Sequence, residues 1–231
     1  MPSDVFRFKQ FVVRQSDSAM KVGTDGVLLG AWSSASGRRI LDVGTGTGLI
    51  ALMLAQRAEA NIIGVEIDRQ AACEAKFNFE QSPWSGRLQV ACVDVRQYCF
   101  GPPFDLIVCN PPFYAHSQAA SSRSRDRARS GETLSLRQLI QFASHHLSIQ
   151  GRLEVILPAQ IAEQFRLDCW TQGFCLIRQT QVITCPGKSP KRSLMSFGLV
   201  ETTAQRDTLC LLDSEGRRTV QYQALTADYY L

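Results

Sequence analysis

The chain has 231 residues, of which 45% are hydrophobic and 20% are charged, and its formal net charge is +4 at pH 7. This size and composition fit one large α/β domain with small appendages, and no apolar run is long enough to cross a bilayer. The N-terminal stretch MPSDVFRFKQ lacks the apolar segment of a secretory signal, so we expect a cytoplasmic protein.

From about residue 38 onward, strand-like and helix-like segments alternate along the chain. The strand-like segments in order are RRILDV, ANIIGVEID, RLQVACVDV, FDLIVC, RLEVILP, FCLIRQTQVIT, SLMSFGLVETT and DTLCLLD. The helix-like segments are LIALMLAQRA, RQAACEAKFNFEQ, TLSLRQLIQFASHHLS and AQIAEQFRLDCWTQ. Alternation with nearly continuous apolar strands predicts an α/β fold whose mostly parallel sheet is covered on both faces. The last strands follow one another without a helix, which predicts an antiparallel pair at one edge.

The eight cysteines and three histidines indicate neither a disulfide framework nor a metal site. No two cysteines form a C-x-x-C pair, and several stand in apolar runs such as LIVC. Small buried thiols in a reducing compartment are the favoured interpretation, and no metal is expected.

A glycine-rich turn follows the first predicted strand in the stretch LDVGTGTG. Gly44, Gly46 and Gly48 stand between that strand and the next helix. Glycines there let the backbone turn tightly and let a ligand approach main-chain atoms, and open α/β sheets bind ligands at this edge. Asp42 closes the strand just before the glycines, where its carboxylate favours a ligand that carries a positive charge.

Two further acids close the next two predicted strands. Glu66 ends the second strand about 20 residues after the glycines, where an acid accepts hydrogen bonds from ribose hydroxyls. Asp94 ends the third strand, in a position to face an adenine ring. These three acids and the glycine turn predict one nucleoside-containing ligand along the same edge of the sheet.

The spacing of the glycines distinguishes two classes of cofactor. Dinucleotide sites have the pattern G-x-G-x-x-G with phosphates on the helix N-terminus, whereas this turn is G-x-G-x-G after an aspartate, with no G-K-[ST] behind it. S-adenosylmethionine has no phosphate but carries an ammonium and a sulfonium. The turn and its two following acids resemble those of class I methyltransferases. The resemblance implies S-adenosylmethionine as cofactor and a Rossmann-like fold with a seven-stranded, mostly parallel sheet.

Four residues close the fourth predicted strand: Asn110, Pro111, Pro112 and Phe113. Methylation of a planar amino nitrogen requires reorganisation toward a tetrahedral nitrogen, which two acceptors aimed at the amino hydrogens stabilise. The Asn110 side-chain carbonyl and the Pro111 main-chain carbonyl fit that role. Pro112 stiffens the corner, and Phe113 offers a face on which a base stacks. We predict that these four residues are catalytic, and an ordinary turn at a strand end is the alternative.

The N-terminal stretch FRFKQFVVRQSDSAMKVGTDGVLLGAW is similar to the opening of bacterial enzymes that methylate adenine N6 beside the anticodon of valine tRNA. Together with DVGTGTG, VEID and NPPF, this similarity covers nearly the whole chain and identifies it as a member of the tRNA(Val) adenine-37 N6-methyltransferase family. The resemblance implies that residues 1–36 form an extension that packs on the cofactor site of a class I domain at 37–231. The cofactor site that it implies comprises Lys21, Gly23, Thr24, Asp25, Asp42, Gly44, Thr45, Gly46, Gly48, Glu66, Ile67, Asp94, Val95 and Asn110.

Two loops concentrate positive charge. The residues predicted to bind RNA are Arg123, Arg125, Arg127 and Arg129 after NPPF, and Lys188, Lys191 and Arg192 in GKSPKRS. Solvated loops are the alternative on charge alone, but a tRNA substrate explains a basic loop beside the target pocket, and such contacts make affinity fall with salt. An adenine in an exposed anticodon loop leaves its stack at modest cost. A monomer is the expected state.

The main alternative with the same chemistry is N5-glutamine methylation of a protein such as a release factor. Those enzymes also use an N-P-P-aromatic corner, but they carry a sizeable helical N-terminal domain and have tyrosine at the position of Phe113. Another RNA or DNA amino-group methyltransferase is a further alternative. A nicotinamide-dependent oxidoreductase is disfavoured by G-x-G-x-G, Asp42 and NPPF. A non-catalytic RNA-binding module is disfavoured because every motif position expected for chemistry is filled.

Overall fold

The computed structural model describes residues 4–16, 21–98, 101–111 and 134–231. The strands in chain order are β1 (Val5–Arg7), β2 (Val12–Arg14), β3 (Arg39–Val43), β4 (Asn61–Glu66), β5 (Leu88–Cys92), β6 (Phe104–Cys109), β7 (Leu147–Pro158), β8 (Cys175–Ile183), β9 (Arg192–Gly198) and β10 (Gln205–Cys210). The helices are α1 (Thr24–Trp32), α2 (Leu49–Arg57), α3 (Arg69–Glu80), α4 (Leu136–His146), α5 (Ala159–Thr171) and α6 (Val220–Thr226). Short 3-10 turns occupy Ser85–Arg87 and Val95–Gln97.

Eight strands form the central sheet in the order β10-β8-β9-β7-β6-β3-β4-β5. The neighbours from β7 to β5 pair in parallel, and β9 is antiparallel to both β7 and β8. The predicted α/β class with a mostly parallel sheet is confirmed, but the predicted number of seven strands is wrong by one. The extra strand is β10, which adds to the edge in parallel with β8. The predicted antiparallel pair at the edge is therefore wrong, because the antiparallel strand β9 lies inside the sheet between β7 and β8.

Apolar side chains cover both faces of the sheet, as expected for buried parallel strands. On β6, Leu106 and Val108 join the cluster that holds α1, α2 and α6, whereas Ile107 and Cys109 join the cluster that holds α4 and α5. Successive side chains of a strand point to opposite faces, so the nearly continuous apolar strands supply both clusters. Helices therefore cover both faces of the sheet, as predicted.

The N-terminal residues pack against the same helices that follow the glycine turn. The hairpin β1–β2 contacts α3, where the Arg14 N–H donates to Asn78 Oδ1 at 2.9 Å. Helix α1 lies in one apolar cluster with α2, and Arg57 Nη2 donates to the carbonyls of Gly30 and Ser33 at the end of α1. The division of the chain at residue 36 stays a prediction.

Three findings on the described ranges concern membrane-spanning helices, metal sites and cysteines. No helix there combines the length and apolar character needed to cross a membrane. In the same ranges no group of three or more His, Cys, Asp and Glu side chains is placed to hold a metal ion. Cys109 and Cys169 are buried, whereas Cys73 and Cys92 are exposed, so the interpretation of the cysteines as buried thiols fails for the last two.

Candidate active site

Four parallel strands end at one edge of the sheet and bring the predicted site residues together. The strands stand next to one another in the order β6-β3-β4-β5 and run in one direction. The glycine turn leaves β3 at this edge, Glu66 ends β4, Asp94 follows β5 and Asn110 follows β6. Such carboxyl-end crevices are the binding sites of open α/β sheets.

The glycine turn is tethered on one side and open on the other. The N–H groups of Gly44 and Thr45 both donate to the Val65 carbonyl, at 2.9 and 3.0 Å. The Gly46 N–H donates to Glu66 Oε2 at 3.0 Å. Gly46 has φ +57°, and a Cβ there would meet no described atom within 4 Å. Glycine adopts this left-handed conformation without strain, and the open side leaves the main chain accessible to a ligand.

The last glycine of the turn, Gly48, lies against α3. Its φ is +84°, and a Cβ there would stand 2.4 Å from Phe79 Cε1, which is closer than side chains tolerate. On the same helix, Asn78 Nδ2 donates to the Thr47 carbonyl at 2.9 Å. The turn therefore packs closely against α3, and a residue larger than glycine at position 48 would prevent this contact.

Asp42 is buried below the turn with only one of its oxygens satisfied. Its Oδ2 accepts from Thr45 Oγ1 at 2.6 Å and from the Ala51 N–H at 3.2 Å. Its Oδ1 is buried and has no hydrogen-bond partner among the described residues. Burial raises the pKa of the Asp42 carboxyl to about 7, although the two hydrogen bonds lower it. A cation near Oδ1 would supply the missing interaction and favour the ionised form.

Glu66 is oriented by main-chain donors at the same edge. Its Oε2 accepts from Gly46, and its Oε1 accepts from the Asp68 N–H at 2.9 Å. A carboxylate has about four lone-pair sites, so these two bonds leave capacity for ligand hydroxyls. The next side chain, Ile67, is 48% exposed and offers an apolar surface beside that carboxylate.

Asp94 is paired with an arginine that the sequence analysis did not identify. Arg96 Nε lies 2.9 Å from Asp94 Oδ1 and 3.0 Å from Oδ2, and the Arg96 N–H donates to Oδ1 at 2.9 Å. These contacts, of which the side-chain hydrogen bond is the largest, lower the pKa of the Asp94 carboxyl. Val95 between them is buried. The D-x-R spacing was the available signal, because it opens a 3-10 turn with Asp94 as its cap.

The predicted catalytic corner is only partly within the described residues. Asn110 is half-buried and Pro111 is buried directly after β6. Pro112, Phe113 and the four arginines lie outside the described residues: Arg123, Arg125, Arg127 and Arg129. The catalytic roles of the four NPPF residues therefore stay predictions.

The N-terminal site residues lie around the start of α1. Gly23 caps this helix, and Lys21 Nζ is 3.6 Å from Asp4 Oδ1. A Cβ on Gly26 would stand 3.0 Å from the Leu49 side chain, so the start of α1 packs on the residue that follows the glycine turn. Thr24 is exposed. The contacts therefore place this segment next to the turn, and its role in cofactor binding stays a prediction.

Part of the predicted RNA-binding set lies at the same edge, because β9 is antiparallel and begins there. Arg192 Nε donates to Asp25 Oδ2 at 2.7 Å, which joins the predicted RNA set to the predicted cofactor set. A cavity of about 320 Å³ is lined by Thr24, Asp25, Leu28, Val182, Thr184, Lys191, Arg192 and Leu211. Lys188 is exposed in the neighbouring loop. A larger cavity of about 470 Å³ lies along α3 between Arg14 and Phe77 and contains none of the predicted site residues.

These side chains fit a cationic donor such as S-adenosylmethionine better than a dinucleotide. Within the described part of the chain, Asp42 Oδ1 has no partner beside the open turn, and Glu66 retains acceptor capacity. A pyrophosphate at this turn would meet two carboxylates and be repelled. The arrangement therefore matches the class of cofactor inferred from the G-x-G-x-G spacing.

Comparisons with known proteins agree with this geometry. The model of the methyltransferase small domain family matches residues 15–181. A tRNA1(Val) (adenine(37)-N6)-methyltransferase from Bacteroides fragilis is 43% identical over 235 residues, which cover 100% of this chain and 99% of the relative. A crystal structure of a predicted O-methyltransferase from Agrobacterium tumefaciens superposes with a TM-score of 0.69 at 21% identity, covering 89% of this chain and 96% of that one. A glycopeptide N-methyltransferase in complex with S-adenosyl-L-methionine gives 0.57 at 11% identity, with 78% and 100% covered.

The two solved structures show the Rossmann-like fold alone, and the match of the family model identifies a methyltransferase of this class. The chain belongs to the methyltransferase small domain family and, within it, to the family of the tRNA1(Val) (adenine(37)-N6)-methyltransferases. The family inferred from the sequence is thereby confirmed.

Proposed function

We propose that this protein transfers a methyl group from S-adenosylmethionine to N6 of an adenine in tRNA, at position 37 beside the anticodon of tRNA(Val). One observation carries the proposal most directly. In a chain that is 43% identical to an enzyme of that name, Asp42, Glu66 and Asn110 converge on one edge of the sheet. Glutamine methylation of a protein stays the second candidate, because the corner chemistry is the same.

S-adenosylmethionine, when bound, supplies a methyl group on a positively charged sulfur. Asp42 would hold the cationic end of this donor at the glycine turn, with Oδ1 as the acceptor. Glu66 would accept from the ribose hydroxyls, and Asp94, held by Arg96, would face the adenine ring. Lys21, Gly23, Thr24 and Asp25 would lie near the methionine end, as the family resemblance implies.

Asn110 and Pro111 would act on the amine of the substrate. Their carbonyl oxygens accept from the two amino hydrogens and favour a tetrahedral nitrogen whose lone pair is free to attack. The amine nitrogen would gain the methyl group that the donor sulfur gives up, and the resulting cationic nitrogen would then lose a proton to water. A strong general base is not required, because that nitrogen is acidic. Phe113 would stack on the target base and Pro112 would keep the corner stiff.

The tRNA would be held through its phosphates by the basic residues that the sequence analysis singled out. The set is Arg123, Arg125, Arg127, Arg129, Lys188, Lys191 and Arg192. The protein would act on tRNA as a monomer in the cytoplasm. Contacts of this kind make binding weaken with salt in proportion to the number of phosphates neutralised.

The test uses the purified protein, methyl-labelled donor, and two tRNA(Val) transcripts that differ only by guanosine in place of adenosine at position 37. Nucleoside mass spectrometry should detect N6-methyladenosine in the first transcript and none in the second. A release factor incubated in parallel tests the second candidate. Label that enters only the protein substrate, or a modified nucleoside other than N6-methyladenosine, would overturn the proposal.

A further inference from the structure

The cavity beside the start of α1 has a charge distribution that the sequence did not reveal. Two cations, Lys191 and Arg192, and one carboxylate, Asp25, line it, so one positive charge is left over. Arg192 is engaged with Asp25 at 2.7 Å, and both side chains are about one third exposed, at 34% and 28%. Among the described residues, Lys191 has no ion-pair partner and its side chain is exposed. The uncompensated charge therefore belongs to Lys191.

The main chain around Lys191 is fixed by hydrogen bonds on both sides. Its N–H donates to the Val182 carbonyl at 2.9 Å, and its own carbonyl accepts from the Ala159 N–H at 3.2 Å and from Arg192 Nη1 at 3.1 Å. The opposite wall is held by the Leu212 N–H, which donates to the Thr184 carbonyl at 2.9 Å. The cavity is thus a preformed feature of the sheet edge.

Apolar side chains form the floor of the cavity. Leu28 of α1 and Val182 of β8 are 1% and 2% exposed, and Leu211 lies beside them, half-buried. A volume of about 320 Å³ is at the lower end of the range for small-ligand pockets. An apolar floor with one uncompensated cation at the rim suits a group that carries one negative charge and an apolar face, such as a single nucleotide.

The cavity lies close to the catalytic corner. Asn110 follows β6, and Arg192 begins β9, which is separated from β6 only by β7. Neighbouring strands are about 4.8 Å apart, so the two strand ends are roughly 10 Å apart. That separation is short enough for a nucleotide next to a target adenine at Asn110 to enter this cavity.

We infer that this cavity is a subsite for one nucleotide flanking the target adenine, in which Lys191 contacts the phosphate and the apolar floor contacts the sugar or base. Arg192 has a different role, since it fixes the start of α1 through Asp25. The inference rests on the proposed function, because it assumes an RNA substrate. The sequence alone predicts one basic patch that includes Lys191 and Arg192. In the proposed subsite, Lys191 is the ligand contact and Arg192 is a positioning residue.

The first test compares binding of a tRNA(Val) anticodon stem–loop at several salt concentrations for the wild type, Lys191→Gln and Lys76→Gln. Lys76 is an exposed lysine on α3 and serves as the matched control. Lys191→Gln should weaken binding several-fold at low salt and reduce the slope of log affinity against log salt by about 0.7–0.9, the value for one phosphate contact. Lys76→Gln should leave the slope unchanged. A wild-type slope for Lys191→Gln would overturn the phosphate contact.

The second test fills the cavity without removing charge. Thr184→Trp places a large side chain at the exposed wall, and Thr203→Trp places the same side chain in the exposed loop before β10, at the opposite edge of the sheet. Thr184→Trp should weaken RNA binding several-fold with an unchanged salt slope and an unchanged affinity for the methyl donor. Equal RNA affinities for Thr184→Trp and Thr203→Trp would show that no nucleotide enters the cavity.

The outcomes of these tests distinguish failure of the subsite proposal from failure of the proposed function. If the wild type methylates tRNA and the Lys191 and Thr184 variants bind it normally, the subsite is wrong and the methyltransferase stands. If the wild type binds the stem–loop but forms no N6-methyladenosine, the proposed function is wrong. Tight binding of a mononucleotide that the stem–loop does not displace would assign the cavity to a free ligand and overturn the RNA subsite.

Discussion

Asp42 and Glu154 are two buried carboxylates on the same face of the sheet, and they differ in what their oxygens contact. Val108 pairs with Asp42 on one side and with Glu154 on the other, and the two carboxylates are 0% and 1% exposed. Glu154 Oε2 accepts from the Ser34 N–H at 2.9 Å, and Oε1 accepts from Ser196 Oγ at 3.0 Å. Asp42 Oδ1 has no partner among the described residues.

The difference shows that burial alone does not identify a functional acid. Burial raises the pKa of both carboxyls, so the shift has the same direction in the two regions. Glu154 joins the segment after α1 to strand β9 with its two oxygens, whereas Asp42 Oδ1, at the edge where the parallel strands end, has no partner among the described residues. An unsatisfied buried acceptor is rare in proteins and calls for an explanation, which a cationic ligand provides.

The comparison predicts that Asn110, which stands at the same edge as Asp42, affects catalysis and not folding. We expect Asn110→Ala to lower the rate of methyl transfer by about 10²–10³, the usual cost of removing one group that stabilises a developing charge. Single-turnover kinetics with saturating donor and tRNA measures this rate. The control is Asn61→Ala, at the exposed start of β4. An unchanged rate in Asn110→Ala would remove this side chain from the mechanism.

The opposite behaviour is expected for Glu154. Glu154→Ala leaves the Ser34 N–H and the Ser196 hydroxyl without their acceptor, which costs about 3 kcal/mol of unfolding free energy. The corresponding fall in Tm is roughly 6–12 °C for a chain of this size, measured by calorimetry. The donor affinity of the folded variant should stay within a factor of two. A variant with wild-type Tm and weakened donor binding would reverse the roles of the two acids.

The pH dependence of stability sharpens the comparison further. The pKa of Asp42 is about 7 in the folded protein against 3.8 ordinarily, so the folded state holds this proton more tightly than the unfolded state. The stabilisation is complete below pH 4 and is lost as the pH rises to 7, by roughly 1.4 kcal/mol per unit. Asp42→Asn should remove this part of the slope in chemical unfolding experiments between pH 4 and 7. An identical slope in the wild type and the variant would show that Asp42 is not desolvated.

The smallest effect on donor binding is expected for Arg96, which orients Asp94 through a partly exposed ion pair. Arg96→Met should weaken donor binding by about two- to fivefold, since partly exposed ion pairs contribute no more than about 1 kcal/mol. Isothermal titration calorimetry measures the change, with Arg38→Met at the opposite edge as control. A fully retained affinity would mean that Asp94 needs no partner to hold its position.

Local sequence patterns were sufficient to locate those candidate site residues that stand at the end of a single strand or in the turn after it. The G-x-G-x-G turn, the acid at the end of β4 and the asparagine after β6 lie at one edge of the sheet, as expected, because each stands at the end of an apolar strand. The parallel class followed from the same alternation of strands and helices.

The contacts that were missed join residues far apart in the chain. Asp25 and Arg192 are separated by 167 positions, and their pairing depends on β9 beginning at the edge where the parallel strands end. The count of seven strands came from the family resemblance, although the strand-like segment DTLCLLD overlaps β10, whose residues Gln205–Thr208 are polar and exposed as suits an edge strand. Glu154 is a single acid inside an apolar strand, and its role depends on serines of two other segments.

The most direct test of the account is a crystal structure with sinefungin, as donor analogue, and an anticodon stem–loop of tRNA(Val). We expect the analogue along Gly44 and Gly46 with its cationic end toward Asp42, and the exocyclic nitrogen of the target adenine within hydrogen-bond reach of the Asn110 and Pro111 carbonyls. An analogue bound elsewhere, such as in the cavity between Arg14 and Phe77, or an adenine held away from Asn110, would contradict the account.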